Sequence, residues 1–178
     1  MIRKIFLLIF ILITIFLSYV SMQPSNFKIV RELKINAPPE TVFNYVNDLR
    51  KFTEWNPWSK IDPQAKQIFK GPISGKGASY SWEGNNDVGT GSMTIIETQP
   101  YAFIKIQLDM IKPFSDTNNV EFSFKADGNA TNISWTIKGK ANFISKLFCV
   151  FIDRDKIIGS EFEKGLQNLK KLAENIKK

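Results

Sequence analysis

Histidine is absent from the chain, and Cys149 is its one cysteine. The first absence removes the commonest general base, the commonest metal ligand and every histidine-based catalytic triad. The second rules out an internal disulfide and a paired-cysteine metal cluster. Aspartates and glutamates are scattered through the sequence, so no dense carboxylate group stands ready for magnesium or calcium. No metal and no cofactor is expected, and an enzyme built on this chain would have to work with Asp, Glu, Lys, Arg or Tyr.

Repeats, low-complexity tracts and internal linkers are also missing. The formal charge is +7, but the basic residues are spread along the chain without a nucleic-acid-reading motif. A solvated basic surface is expected, and no nucleic-acid partner. The stretch Gly71 to Ser79, GPISGKGAS, is one residue short of a phosphate-binding loop, and Gly77 stands where a hydroxyl would hold magnesium. It is expected to connect two strands.

What the sequence does contain begins with a long apolar run. Arg3 and Lys4 precede an uncharged stretch from Ile5 to Gln23, which Pro24 ends. Roughly 18–20 such residues cross a bilayer as a helix. A cleaved signal peptide would have a shorter apolar region and small residues two apart at the cleavage site. Here Phe16 stands two before Ser18, and Tyr19 two before Ser21. Residues 1–24 are therefore expected to be an uncleaved membrane anchor. Arg3 and Lys4 favour a cytoplasmic N-terminus, which puts the following domain outside the cytoplasm. Lys28, Arg31 and Lys34 on the other flank weaken that bias.

Residues 27–178 are expected to form one domain, and the chain as a whole is 43% hydrophobic, enough for a sizeable core. Phe27, Ile29, Leu33 and Ile35 alternate along a first strand, with Arg31 on the same face. APPETVFNYVND opens a helix, with proline in the first turn and Glu40 at the positive end of the dipole. Asp48 caps a second short helix, LRKFTEW, which Pro57 stops. About six strands follow, the last two joined at Asp127-Gly128-Asn129. Ile158, Phe162, Leu166, Leu169, Leu172 and Ile176 then recur at helical spacing and predict a long amphipathic C-terminal helix. The order predicts an α+β fold in which this helix covers one face of a curved antiparallel sheet.

In the last three strands Ile104, Ile106 and Leu108, then Val120, Phe122 and Phe124, then Ile133, Trp135 and Ile137 share the buried parity. No carboxylate or lysine is expected on that face. General acid–base chemistry needs a titratable group within hydrogen-bond reach of substrate. The apolar face fits a pocket for an apolar molecule, and it fits a packed core without a cavity equally well.

The ordered set INAPPETVFNYVND, EWNPWSK, YSWEG with GTGSMTI, ISWTIKGK and EFEKGLQNLKKLAE resembles the SRPBCC, or START-like, superfamily. The nearest branch is the polyketide cyclase/dehydrase and lipid-transport group, in which forms with an N-terminal hydrophobic helix are familiar. The resemblance implies a helix-grip fold with a deep apolar cavity between the sheet and the C-terminal helix. It places Trp55, Trp58, Tyr80, Trp82 and Trp135 around that cavity, with Met93, Ile106, Phe122, Phe124, Phe162 and Leu166 on the wall. Gly165 would let the helix approach the sheet or leave room for a ligand. Of the polar candidates, Arg31 pairs either with a ligand carboxylate or with a neighbouring acid. Tyr80 is either a donor into the cavity or an ordinary core residue. Glu54 reads as solvated, and Arg154 is a further candidate. The expected function is a membrane-anchored binding domain for a hydrophobic small molecule or lipid. A cyclase or dehydratase using the same cavity and a ligand-free interaction module are the rivals.

Overall fold

The computed structural model describes residues 2–175. The first element, helix α1 (Ile2–Met22), leaves nearly all its side chains exposed. Strand β1 (Asn26–Ile35) follows, then three short helices: α2 (Pro39–Asn47), α3 (Leu49–Trp55) and α4 (Trp58–Ile61). Six strands come next: β2 (Lys66–Lys70), β3 (Ser79–Glu83), β4 (Thr90–Gln99), β5 (Phe103–Lys112), β6 (Asp116–Asp127) and β7 (Ala130–Lys140). Helices α5 (Phe143–Cys149) and α6 (Arg154–Asn175) complete the described chain. The expected position Ile176 lies outside the described residues.

All seven strands form one antiparallel sheet in the order β1-β7-β6-β5-β4-β3-β2. Every link except β1 to β7 joins sequence neighbours, so the sheet is a meander with its first strand returned beside its last. The concave face carries the alternation read in the sequence: Ile104, Ile106, Val120, Phe122, Phe124, Ile133, Trp135 and Ile137 are all buried. The stripe Phe162, Leu166, Leu169 and Ala173 of α6 completes the same core. Burying these side chains removes apolar surface from water, each large one contributing about 1.5–3 kcal/mol.

Two expectations need correction. The sequence predicts two short helices after β1, whereas there are three. Pro57 ends α3 by holding Asn56 in an extended conformation (ψ 124°). Its own helical φ of −59° then opens α4 at Trp58. One proline therefore separates two helices and turns Trp55 and Trp58 apart. Helix α5 was not anticipated at all. Asn142 caps it, its side-chain oxygen accepting from the Ser145 N–H at 2.8 Å. Its apolar residues point mostly to the surface, so no core-facing stripe marks it.

Two glycines of α6 let the helix reach the sheet. A Cβ on Gly165 would stand 2.7 Å from Cζ3 of Trp135 and 3.1 Å from Cδ of Pro57. Of the two roles considered for Gly165, close approach is the one present, because the indole and the proline ring fill the space. Gly165→Ala is expected to lose about 1–3 kcal/mol through overpacking, measured by urea unfolding of the domain. A loss within experimental error would mean that helix and sheet are not in this contact. A Cβ on Gly159 would collide with the Arg31 guanidinium, which crosses the helix there.

Candidate functional site

Between the sheet, the α3–α4 corner and the first half of α6 lies a cavity of about 440 Å³. That falls within the range of about 300–1,000 Å³ typical of small-molecule pockets. Its apolar wall is built from Trp58 of α4, Trp82 of β3, Met93 of β4 and Leu108 of β5, with Trp135 of β7 and Phe162 of α6 opposite. Trp135 and Phe162 stack face to face, ring centroids 4.0 Å apart and planes 8° apart. Trp58 meets both edge-on at 6.3 and 6.2 Å. Tyr80 stacks between Phe69 and Trp82 at 5.1 and 5.5 Å. The Trp82 indole is fixed by donation from Nε1 to the Val88 carbonyl at 3.1 Å. The cavity reaches the surface at its exposed lining residues Gln67, Asn86, Asp87 and Pro113, and half-buried Ser145 of α5 and Arg154 of α6 also line it.

Of the residues expected around the cavity, Trp58, Tyr80, Trp82, Met93, Trp135 and Phe162 line it. Trp55, Ile106, Phe122, Phe124 and Leu166 are buried but lie off its wall, in packed core. The reason is that α2 and α3 fill the concave face at that end of the sheet. Phe43 of α2 meets Phe124 at 5.4 Å. Trp55 packs against Phe52, Phe122 and Trp135. Its Nε1 donates to the Tyr45 carbonyl, and its own carbonyl accepts from Asn168 of α6. The two tryptophans that flank Asn56-Pro57 therefore have different surroundings: Trp55 is core and Trp58 is cavity wall.

Arg31 is away from the cavity. It clasps β1 to α6, with Nε donating to Glu163 at 2.6 Å and Nη2 to Asp155 at 2.8 Å. The hydrogen bonds that Arg31 donates to Asp155 and Glu163 raise the guanidinium's pKa further, and the bond from Arg31 holds the Asp155 carboxyl below its usual range. Asp155, Gly159 and Glu163 are spaced four apart, so the guanidinium crosses the helix over the glycine between its two partners. Glu54 is exposed. Arg154 lines the cavity and lies over the Phe27 ring, 4.3 Å from its centroid.

The wall's polar groups were only partly legible. Asn56 and Asn118 are buried in it, each 6% exposed. Asn56 Nδ2 makes a long contact of 3.4 Å with Ser59 Oγ, and Asn118 Nδ2 donates to Asp116 at 3.2 Å. The Oδ1 atoms of both, and Nε1 of Trp135, are buried without a hydrogen-bond partner among the described residues. Such groups are uncommon, since leaving one unmade costs about 1–3 kcal/mol. Burial pushes the Tyr80 phenol pKa up, opposed by the Ser59 hydroxyl, so Tyr80 stays a protonated donor at neutral pH. The expectation of a concave face without carboxylates is corrected by Asp116. It shares parity with Asn118 and Val120 and lines the cavity, because β6 starts four residues before Val120. Extending the alternation back from Val120 would have found both polar residues.

The chain belongs to the family described as polyketide cyclase/dehydrase and lipid transport, whose profile matches residues 26–174. The fold is shared widely among solved structures. A protein from Chromobacterium violaceum superposes with TM-score 0.60 at 13% identity, covering 85% of this chain and 99% of that one. A protein from Mesorhizobium loti gives TM-score 0.59 at 15% identity, covering 84% and 98%. The di-domain ARO/CYC StfQ from the steffimycin biosynthetic pathway gives TM-score 0.60 at 8% identity, covering 85% of this chain and 51% of that one. At such identities the likeness is one of fold. No curated protein gives a match.

Proposed function

We propose that the chain is a membrane-anchored binding protein that holds a hydrophobic small molecule or lipid in the cavity between the sheet and α6. The observation that carries this reading is the cavity itself, about 440 Å³ walled largely by aromatic and aliphatic side chains. Apolar surface of that kind gains free energy by leaving water for a ligand. The unpartnered Asn56, Asn118 and Trp135 atoms favour an amphipathic ligand, with a hydrogen-bonding group beside its apolar body. Helix α1 is long and apolar enough to cross a membrane, and Arg3 and Lys4 in its first turn favour a domain outside the cytoplasm, against the pull of Lys28, Arg31 and Lys34 on the other flank. A mature chain that begins after residue 24 would make α1 a signal sequence instead.

An enzyme of the cyclase or dehydratase type in the same cavity is the second reading. Tyr80 favours it, as a protonated donor inside an apolar wall. The test of the binding reading is titration of the domain, residues 26–178, with an apolar fluorophore whose emission rises in dry surroundings. The expected result is saturable, stoichiometric binding that quenches tryptophan emission, since three of the four tryptophans line the cavity. Absence of saturable binding would count against it.

A further inference from the structure

A second feature stands beside the cavity's open end. Phe143, Ile144 and Phe148 of α5, Phe151 and Ile152 after it, and Phe114 at the β5–β6 tip are all exposed. Monomeric soluble surfaces seldom gather large apolar side chains this way. These residues are continuous with α1. Phe16 of α1 meets Phe151 with ring centroids 6.1 Å apart, and Phe148 meets Phe114 at 5.8 Å. Lys146 of α5 donates from Nζ to the Ser21 carbonyl at 3.1 Å, satisfying one of the last carbonyls of α1.

These contacts fix a depth. Phe16 precedes the end of α1 at Met22 by six residues, which is about 9 Å along a helix axis. If α1 spans a bilayer with Met22 at its surface, Phe16 lies inside the hydrocarbon edge, and Phe151 in contact with it lies at a similar level. Interfacial helices bury their apolar faces by ~5–10 Å, which matches. Lys112, Lys140 and Lys156 are exposed on neighbouring segments, and long cationic side chains reach headgroups from such positions. Of the nearby acids, Asp155 is engaged by Arg31, and Asp153 accepts from the Lys156 N–H at the start of α6.

We infer that α5, residues 150–152 and the β5–β6 tip form a docking face for the lipid surface that α1 enters. Because Ser145, Pro113 and Arg154 also line the cavity, docking turns its open end toward the headgroups. A lipid or apolar molecule then passes between bilayer and cavity without crossing bulk water. This rests on the reading of α1 as a spanning helix.

Cys149 provides the probe, being the chain's one cysteine and exposed on α5. The full chain carries a nitroxide on Cys149 and is reconstituted in vesicles of phosphatidylcholine and phosphatidylglycerol. Vesicle flotation reports the anchor, and collision of the label with oxygen or with a water-soluble nickel chelate reports depth. The expected result is a chain that floats, with a label more accessible to oxygen than to nickel. The double variant Phe148→Ser, Phe151→Ser is expected to float equally and to reverse that ratio. A floating wild-type chain with a nickel-accessible label overturns the docking face and leaves the anchor standing. Loss of flotation overturns both. A label shielded from both reagents, with spin–spin broadening that grows with protein density, overturns lipid docking in favour of a second copy.

Discussion

Trp135→Ala is expected to cost the domain about 3–5 kcal/mol of folding free energy, as large-to-small changes in packed cores do. Trp135 is 2% exposed and joins every wall of the aromatic centre. It stacks on Phe162 of α6, meets Phe52 and Trp55 of α3 edge-on, lies beside Phe122 on the next strand and touches Trp58 of α4. Removing it would leave Gly165 without the ring it approaches, so α6 would lose its seat as well as its contacts. Domains of this size have only about 5–15 kcal/mol in total, so the variant should unfold at markedly lower denaturant. Trp135→Phe keeps a stacked ring and removes the unpartnered Nε1–H, and it should cost far less. Urea unfolding of the three proteins checks this. Equal losses for Ala and Phe would show that the ring's packing is not what holds α6 in place.

Leu108→Trp should weaken binding of an apolar probe at least tenfold, equivalent to about 1.4 kcal/mol, while the domain stays folded. Leu108 faces Met93 across β4 and Asn118 across β6, and all three line the cavity. It is only half-buried, so a larger side chain there takes up open volume and spares the packed core. The control matters because the exposed phenylalanines of α5 can also attract a dye. Probe binding that survives Leu108→Trp unchanged would place the dye on that surface. Trp58→Ala should also weaken binding with a modest stability loss, because Trp58 is a half-buried wall residue and not core.

Alternation made most of the fold legible. Strand faces repeat every two residues and α6 every three or four, so Ile104, Phe122, Trp135 and Phe162 could be assigned to one interior before any coordinates. Periodicity does not distinguish a filled interior from a hollow one. Trp55 and Trp58 are the same residue type three positions apart, yet one proline sends the first into α3's packing and the second to the cavity wall. Phe122 and Phe124 share the parity of Val120, but α2 and α3 cover them and leave Val120 on the wall. Arg31 had the parity of a core position, and only the contact with α6 shows that it bridges to Asp155 and Glu163. Asn118 and Asp116 carry no apolar signal, and the strand's start hid their shared face. Helix α5 escaped for a related reason: its apolar residues turn outward, and the pattern that reveals a core helix is absent.

Native mass spectrometry reads whether the cavity holds a hydrophobic ligand. The domain, residues 26–178, is produced in cells that make membranes, purified without detergent and sprayed from volatile buffer. The expected spectrum contains a bound species with a discrete added mass, lost on extraction with organic solvent and recovered in the extract as an apolar or amphipathic compound. The same species should be depleted from Leu108→Trp. A wild-type domain that appears only at its bare polypeptide mass, and that yields an extract free of such a compound, would mean that the cavity carries no hydrophobic ligand.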